Sequence, residues 1–143
     1  MDDNDNNQGA DNSTELRRRR GIGVYSRIFE VPEHDVASVM SARVGPVFAA
    51  EAFVAAGGAA WTQPGLTGRD RSIAIITAPA AQGISGDRLT THLRQAGAHG
   101  ISHDGLTALM TLLATYIGYP RASSVMETIE RAADSGFHHR DDG

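Results

Sequence analysis

The side chains of this sequence best suited to chemistry are a guanidinium, an imidazole and a few aromatic rings. Arg71 falls at the start of a helical segment, within the run Arg69-Asp70-Arg71-Ser72. A guanidinium placed there can grip a carboxylate or an enolate oxygen through two parallel hydrogen bonds. Its competing structural role is an ion pair with Asp70, Asp87 or a neighbouring subunit. His92 supplies the imidazole, the side chain that titrates near neutrality without help, and it can remove or return a proton. Packing or solvation is the plainer role of a lone helical histidine. Trp61, Tyr116 and Tyr119 are suited to line an apolar pocket for a flat or cyclic molecule, with the phenols as donors at its rim. For Trp61 core packing is the expected role, whereas Tyr116, at the polar edge of its helix, is the better pocket residue.

Other chemistries are removed by what the chain lacks. There is no cysteine, which excludes disulfides, zinc-thiolate sites and thiol peroxidase or disulfide-reductase activity. There is no lysine, so no side chain can form a Schiff base with a carbonyl substrate or with pyridoxal phosphate. His99 and His103 have the four-residue spacing of a metal pair, but Gly100 breaks the helix between them, so the two rings do not share a face. Asp104 beside them reads as a first-turn helix charge. No metal site is expected. The net charge of −4 argues against a broad nucleic-acid surface, which needs clustered excess cations. The expected partners are a small-molecule substrate and further copies of the same chain.

These residues must be held by helices. At 143 residues the chain suits one domain, and no internal repeat stands out. The apolar fraction is 41% but aromatics supply only 6%, so close helix contacts rather than large side chains must build the core. Such a core is often completed by oligomerisation, which predicts a homo-oligomer. Residues 1–20 read as a disordered leader: Asp, Asn, Gly, Gln and Ser have little to bury, and Arg17-Arg18-Arg19-Arg20 reads as a solvated boundary, with binding to nucleic acid or acidic membrane lipid as the alternative. The foldable domain is expected over 21–135, followed by a flexible tail at 136–143 that carries His138 and His139. No apolar stretch is long enough to span a membrane, and Asp2, Asp3 and Asp5 stand where a secretion signal would be basic. A cytoplasmic protein is expected.

Within the domain, Pro32 opens one helix. Gly45-Pro46 opens a second that carries Val47, Phe48, Phe53 and Val54 toward Trp61. Thr67 can cap a third, with Asp70 reaching back in a capping box, and Pro79 should disturb its end. Ser85 can cap a fourth from about Asp87 to Ala98, and Gly100 supplies the left-handed turn after it. Ser102 caps the clearest helix, where Leu106, Leu109, Met110, Leu113 and Ile117 form one buried stripe. Gly118 ends it, and Pro120 begins a last helix with Val125, Ile129 and Ala132 on one face. The apolar run Ile73 to Ile76 is the only strand candidate, and its flanking cap decides it as helix.

The order Trp61-Thr62-Gln63-Pro64-Gly65-Leu66, Arg69-Asp70-Arg71-Ser72, His92 and Tyr116-Ile117-Gly118-Tyr119-Pro120 resembles the carboxymuconolactone decarboxylase family, the cysteine-free relatives of the alkylhydroperoxidase-D proteins. The resemblance covers roughly residues 21–133. It implies an all-α fold, a compact bundle of about six short helices assembled as a trimer or a multiple of it. Arg71-Ser72 match the family's Arg-Ser pair and His92 its helical histidine. That match implies catalytic roles for Arg71 and His92 and substrate contacts for Ser72, Trp61, Tyr116 and Tyr119. The chain also departs from the pattern. Gly105 and Ala108 stand where the family has two glutamates, Asp104 is offset by about 100° around the helix, and His99 replaces an asparagine. The resemblance implies a lyase or isomerase without metal or organic cofactor. It would act on a small oxygenated cyclic acid, lactone or quinone-like metabolite by decarboxylation or proton transfer through an enolate, and the altered acids point to secondary metabolism. The alternative is a non-catalytic oligomeric scaffold or small-molecule binder that keeps the fold without the acids.

Overall fold

Helix signals dominate the sequence, and the computed structural model is all-α: eight helices and no strand among the described residues, which are 3–136. The chain divides into two compact units, Met1–Pro64 and Gly65–Gly143, where its length had suggested one domain. No described helix is long and apolar enough to cross a membrane. His138 and His139 of the expected tail lie outside the described residues.

The first unit contains α1 (Asp3–Phe29), α2 (Glu33–Val44), α3 (Pro46–Ala56) and the single turn α4 (Ala59–Thr62). Val36, Met40, Ala49 and Phe53 form its core, with Tyr25 and Phe29 packed against them. Trp61 packs on a smaller cluster of Val24, Ile28 and Ala56, the structural role expected of it. Small residues let α1 and α3 touch backbone to backbone: a β-carbon on Gly21 would strike the carbonyl of Phe53, and one on Gly57 the carbonyl of Arg17.

Those contacts bear on the leader expected over 1–20, which from Asp3 onward belongs to α1. Once 21–29 is helical against α3, each preceding residue adds a hydrogen bond without a new nucleation cost. Glu15 assists by pairing with Arg18 at 3.6 Å and Arg19 at 3.2 Å, one turn away. Val47 and Phe48 are exposed on α3, whose buried positions are Ala49, Phe53 and Ala56.

The second unit contains α5 (Gly68–Ala81), α6 (Asp87–Ala98), α7 (His103–Ile117) and α8 (Tyr119–Asp134). Ile76, Leu89, Leu93, Leu106, Met110, Val125 and Ile129 are fully buried at its centre. The helix ends follow local chemistry. Thr67 Oγ1 accepts from the Asp70 amide at 3.1 Å while Asp70 Oδ2 accepts from the Thr67 amide at 2.9 Å, the expected capping box. Ser102 caps α7 by accepting from the Gly105 amide at 3.1 Å. Gly100 and Gly118 take φ of 81° and 92°, a region that favours glycine. At α6 the expected cap is displaced: Gly86 occupies that position without a side-chain bond, and Ser85 Oγ accepts from Ser124 Oγ at 3.1 Å instead. Pro79 sits in the last turn of α5, which ends two residues later. The count exceeds the expected six because α1 forms and α3–α4 replaces one longer helix.

Candidate functional site

The site can be built outward from the start of α5. The capping box fixes the first turn, and in its wake Arg71 Nη1 donates to the Leu66 carbonyl at 2.7 Å, folding the guanidinium back along the loop that enters the helix. The Leu66 carbonyl is thus one partner of Arg71. The next residue, Ser72, is buried, and its Oγ lies 2.9 Å from Nδ1 of His99. A hydroxyl so engaged and enclosed serves the packing of α5 on α6 before it could serve a substrate.

His99, read in the sequence only as half of an apparent metal pair and as the replacement of an asparagine, has a partner there that the sequence did not reveal. It closes α6: the Gly100 amide donates to Gly97 O and the Ile101 amide to Ala96 O, both at 3.0 Å, a Schellman closure, and Ile101 is anchored in the core. The ring so placed lies against the backbone of Gly68, where an added β-carbon would stand 2.9 Å from it. The usable signal was its position beside Gly100 at a helix end. Nothing local pointed to Ser72, 27 residues earlier.

The pairing of Ser72, near the start of α5, with His99, at the end of α6, makes the two helices antiparallel and sets their register. Arg71 precedes buried Ser72, and His92 precedes buried Leu93. Each is therefore rotated about 100° from its buried stripe. Along the antiparallel pair Arg71 and His92 are about two turns apart, on the order of 10 Å along the axis at 1.5 Å per residue.

His92 is partly buried, and its Nδ1 is fully buried with no hydrogen-bond partner among the described residues. Desolvation disfavours the imidazolium and holds the pKa below the ordinary histidine value. The ring is neutral at neutral pH. An orphaned buried nitrogen is uncommon enough to require an explanation, and a substrate group is one.

The aromatic candidates have surroundings of their own. Trp61 belongs to the other unit. Tyr116 and Tyr119 flank the break between α7 and α8, 81% and 69% exposed, standing clear of any enclosed wall. Among the described residues no group of three or more metal-ligating side chains gathers. His99 bonds Ser72, whereas His103 Nε2 lies 2.8 Å from Glu130 Oε1, so the apparent histidine pair divides between separate partners. Where the resemblance puts glutamates, Gly105 lies in the first turn of α7 and Ala108 is exposed on the same helix, and Asp104 points fully into solvent.

Comparison with known families now adds to the geometry. The sequence matches the carboxymuconolactone decarboxylase family over residues 49–131, more than half of the chain and including Arg71, His92 and Tyr116. The chain belongs to the carboxymuconolactone decarboxylase family. No curated protein and no solved structure matches it. The family's match begins in α3 and ends in α8, so the whole α5–α8 unit except its final residues carries the family signature, and α1 and α2 lie outside it.

Proposed function

We propose that this member of the family is a cofactor-independent enzyme acting on a small oxygenated cyclic acid, lactone or quinone-like metabolite, by decarboxylation or proton transfer through an enolate. The observation that carries this reading is the neutral, partly buried His92 with an unpartnered buried nitrogen, about two turns along the α5–α6 pair from Arg71. A neutral imidazole can accept a proton from an acidic carbon and return one to it. A guanidinium about two turns away is suited to the carboxylate or enolate oxygen of the same small molecule, where developing negative charge gains most from a fixed donor. The exchange Arg71 would make is one acceptor for another, the Leu66 carbonyl for the substrate's oxygen.

Loss of the glutamates at Gly105 and Ala108 favours a substrate whose proton inventory is met by a single imidazole, hence enolisation or loss of carbon dioxide rather than a reaction needing a second acid. Tyr116 and Tyr119, exposed in the single chain, are placed to contribute where copies meet in a homo-oligomer, a trimer or a multiple of it, and a cytoplasmic setting suits a soluble metabolite.

The test is turnover. Incubation of the purified protein in deuterated buffer with cyclic keto acids and lactones, read by proton NMR, should show solvent exchange at the carbon beside the carbonyl or loss of carbon dioxide. His92→Ala should reduce the rate by roughly 10² to 10⁴, the range typical of a positioned acid–base group. Unchanged turnover in folded His92→Ala and Arg71→Ala proteins would remove both assigned roles.

A further inference from the structure

We infer that His99 is a positioning residue: by holding Ser72 it fixes the register of α5 on α6, and with it the spacing between Arg71 and His92. This rests on the reading of those two residues as acting on one substrate.

Three observations converge on the assignment. The ring of His99 is constrained on both sides, by the Ser72 hydroxyl at 2.9 Å from Nδ1 and by the Gly68 backbone, which has room for the imidazole only because position 68 lacks a side chain. Its backbone is constrained as well, since His99 closes α6 in a Schellman arrangement whose next residue but one, Ile101, is anchored in the core. Finally, the two residues it connects are sequence neighbours of the candidate chemistry. Ser72 adjoins Arg71, and His92 lies seven residues before His99, two turns along the same face of α6. A slip of α5 along α6 by one residue would move Arg71 by about 1.5 Å relative to His92. Errors of that size at a reacting centre can cost about a hundredfold in rate.

A role confined to stability would lower the melting temperature and leave His92 as it is. The positioning role makes a different demand, because a shift of α5 on α6 would also change the burial that lowers the His92 pKa. An asparagine at 99 offers an amide atom near the place of Nδ1 and so can keep the bond to Ser72.

The experiment uses the full chain with Ser72→Ala, His99→Ala and His99→Asn. Circular dichroism checks the fold, NMR follows the His92 imidazole through its titration, and kcat and KM are measured where turnover is found. Ser72→Ala, which removes a single oxygen, carries the decision even if His99→Ala does not fold. The expected result is that Ser72→Ala raises the His92 titration toward the ordinary histidine value and lowers kcat about 10- to 100-fold, with His99→Asn close to the parent on both readings. A folded Ser72→Ala protein whose His92 titrates as in the parent overturns the assignment. Absence of turnover in the parent protein would defeat the proposed activity alone, and the titration would still decide the role of His99.

Discussion

Gly21 on α1 faces the carbonyl oxygen of Phe53 on α3 with no room between them for a methyl group. The two helices are thus in backbone contact, and the glycine is required by space rather than by backbone conformation, since its φ is helical. Gly23, two residues on, has the Glu33 carboxylate at 3.4 Å and the Arg27 guanidinium at 3.9 Å from a built β-carbon, both ends of flexible side chains. Gly21→Ala is therefore expected to destabilise the protein by about 1–3 kcal/mol or more, the usual cost of forcing atoms into a packed region. Gly23→Ala should be neutral or stabilising by up to about 1 kcal/mol through helix propensity. Thermal denaturation of the two variants side by side checks the contrast.

The capping box at α5 makes a prediction about acid stability. Asp70 is held below the ordinary aspartate value by hydrogen bonds from Thr67, first its amide and then its hydroxyl. A carboxylate whose folded pKa is depressed contributes stability that is present above the unfolded value near 3.8 and is lost as pH falls through the folded value. Stability should accordingly decline below about pH 4, and Asp70→Asn should remove this contribution to the decline. Thr67→Ala should cost about 1 kcal/mol at neutral pH, as cap removals commonly do. Urea unfolding at a series of pH values measures both.

His92 sets the complementary window. Its folded pKa is lowered by burial, so between the unfolded value near 6.5 and the folded value the unfolded chain binds the additional proton. Stability from this group is fully present above the unfolded value and is lost as pH falls toward the folded one. His92→Gln should flatten the stability profile just below pH 6.5, and an activity that depends on the neutral imidazole should persist to lower pH than an ordinary histidine would allow. A parent profile indistinguishable from that of His92→Gln across the same range would contradict the assignment.

The α7–α8 junction predicts self-association. From Gly105 to Pro120 no residue carries a charge, and Leu112, Tyr116 and Tyr119 are 58%, 81% and 69% exposed. Large apolar side chains left in water at such a neutral surface are readily buried by another copy. Leu112→Glu should shift the sedimentation coefficient toward that of the monomer while the helical circular dichroism is kept.

Much of the fold was legible because its signals are local. Thr67 with Asp70, Ser102, Gly100 and Gly118 each act within a few residues of themselves, and the stripe from Leu106 to Ile117 is a matter of helical period. Where the reading failed, the deciding partner was remote. Ser85 turned from capping α6 because Ser124 on α8 binds its hydroxyl. The candidate site divides in the same way. His92 and Arg71 were singled out by type and position, and the structure adds their surroundings: Trp61 packs in a core cluster of its own unit, and Tyr116 and Tyr119 are exposed.

By itself the sequence determined which chemistry is open to this protein, since it has neither thiol nor primary side-chain amine, and where most helices begin and end, since caps, glycines and apolar period act over a turn or two. Only the tertiary structure decided which side chains meet. Ser72 with His99 and His103 with Glu130 are both 27 residues apart, and each pairing depends on how far one helix is slid and rotated against another. That register is set by the fit of buried side chains across the core as a whole, a collective property that spacing along the chain does not record.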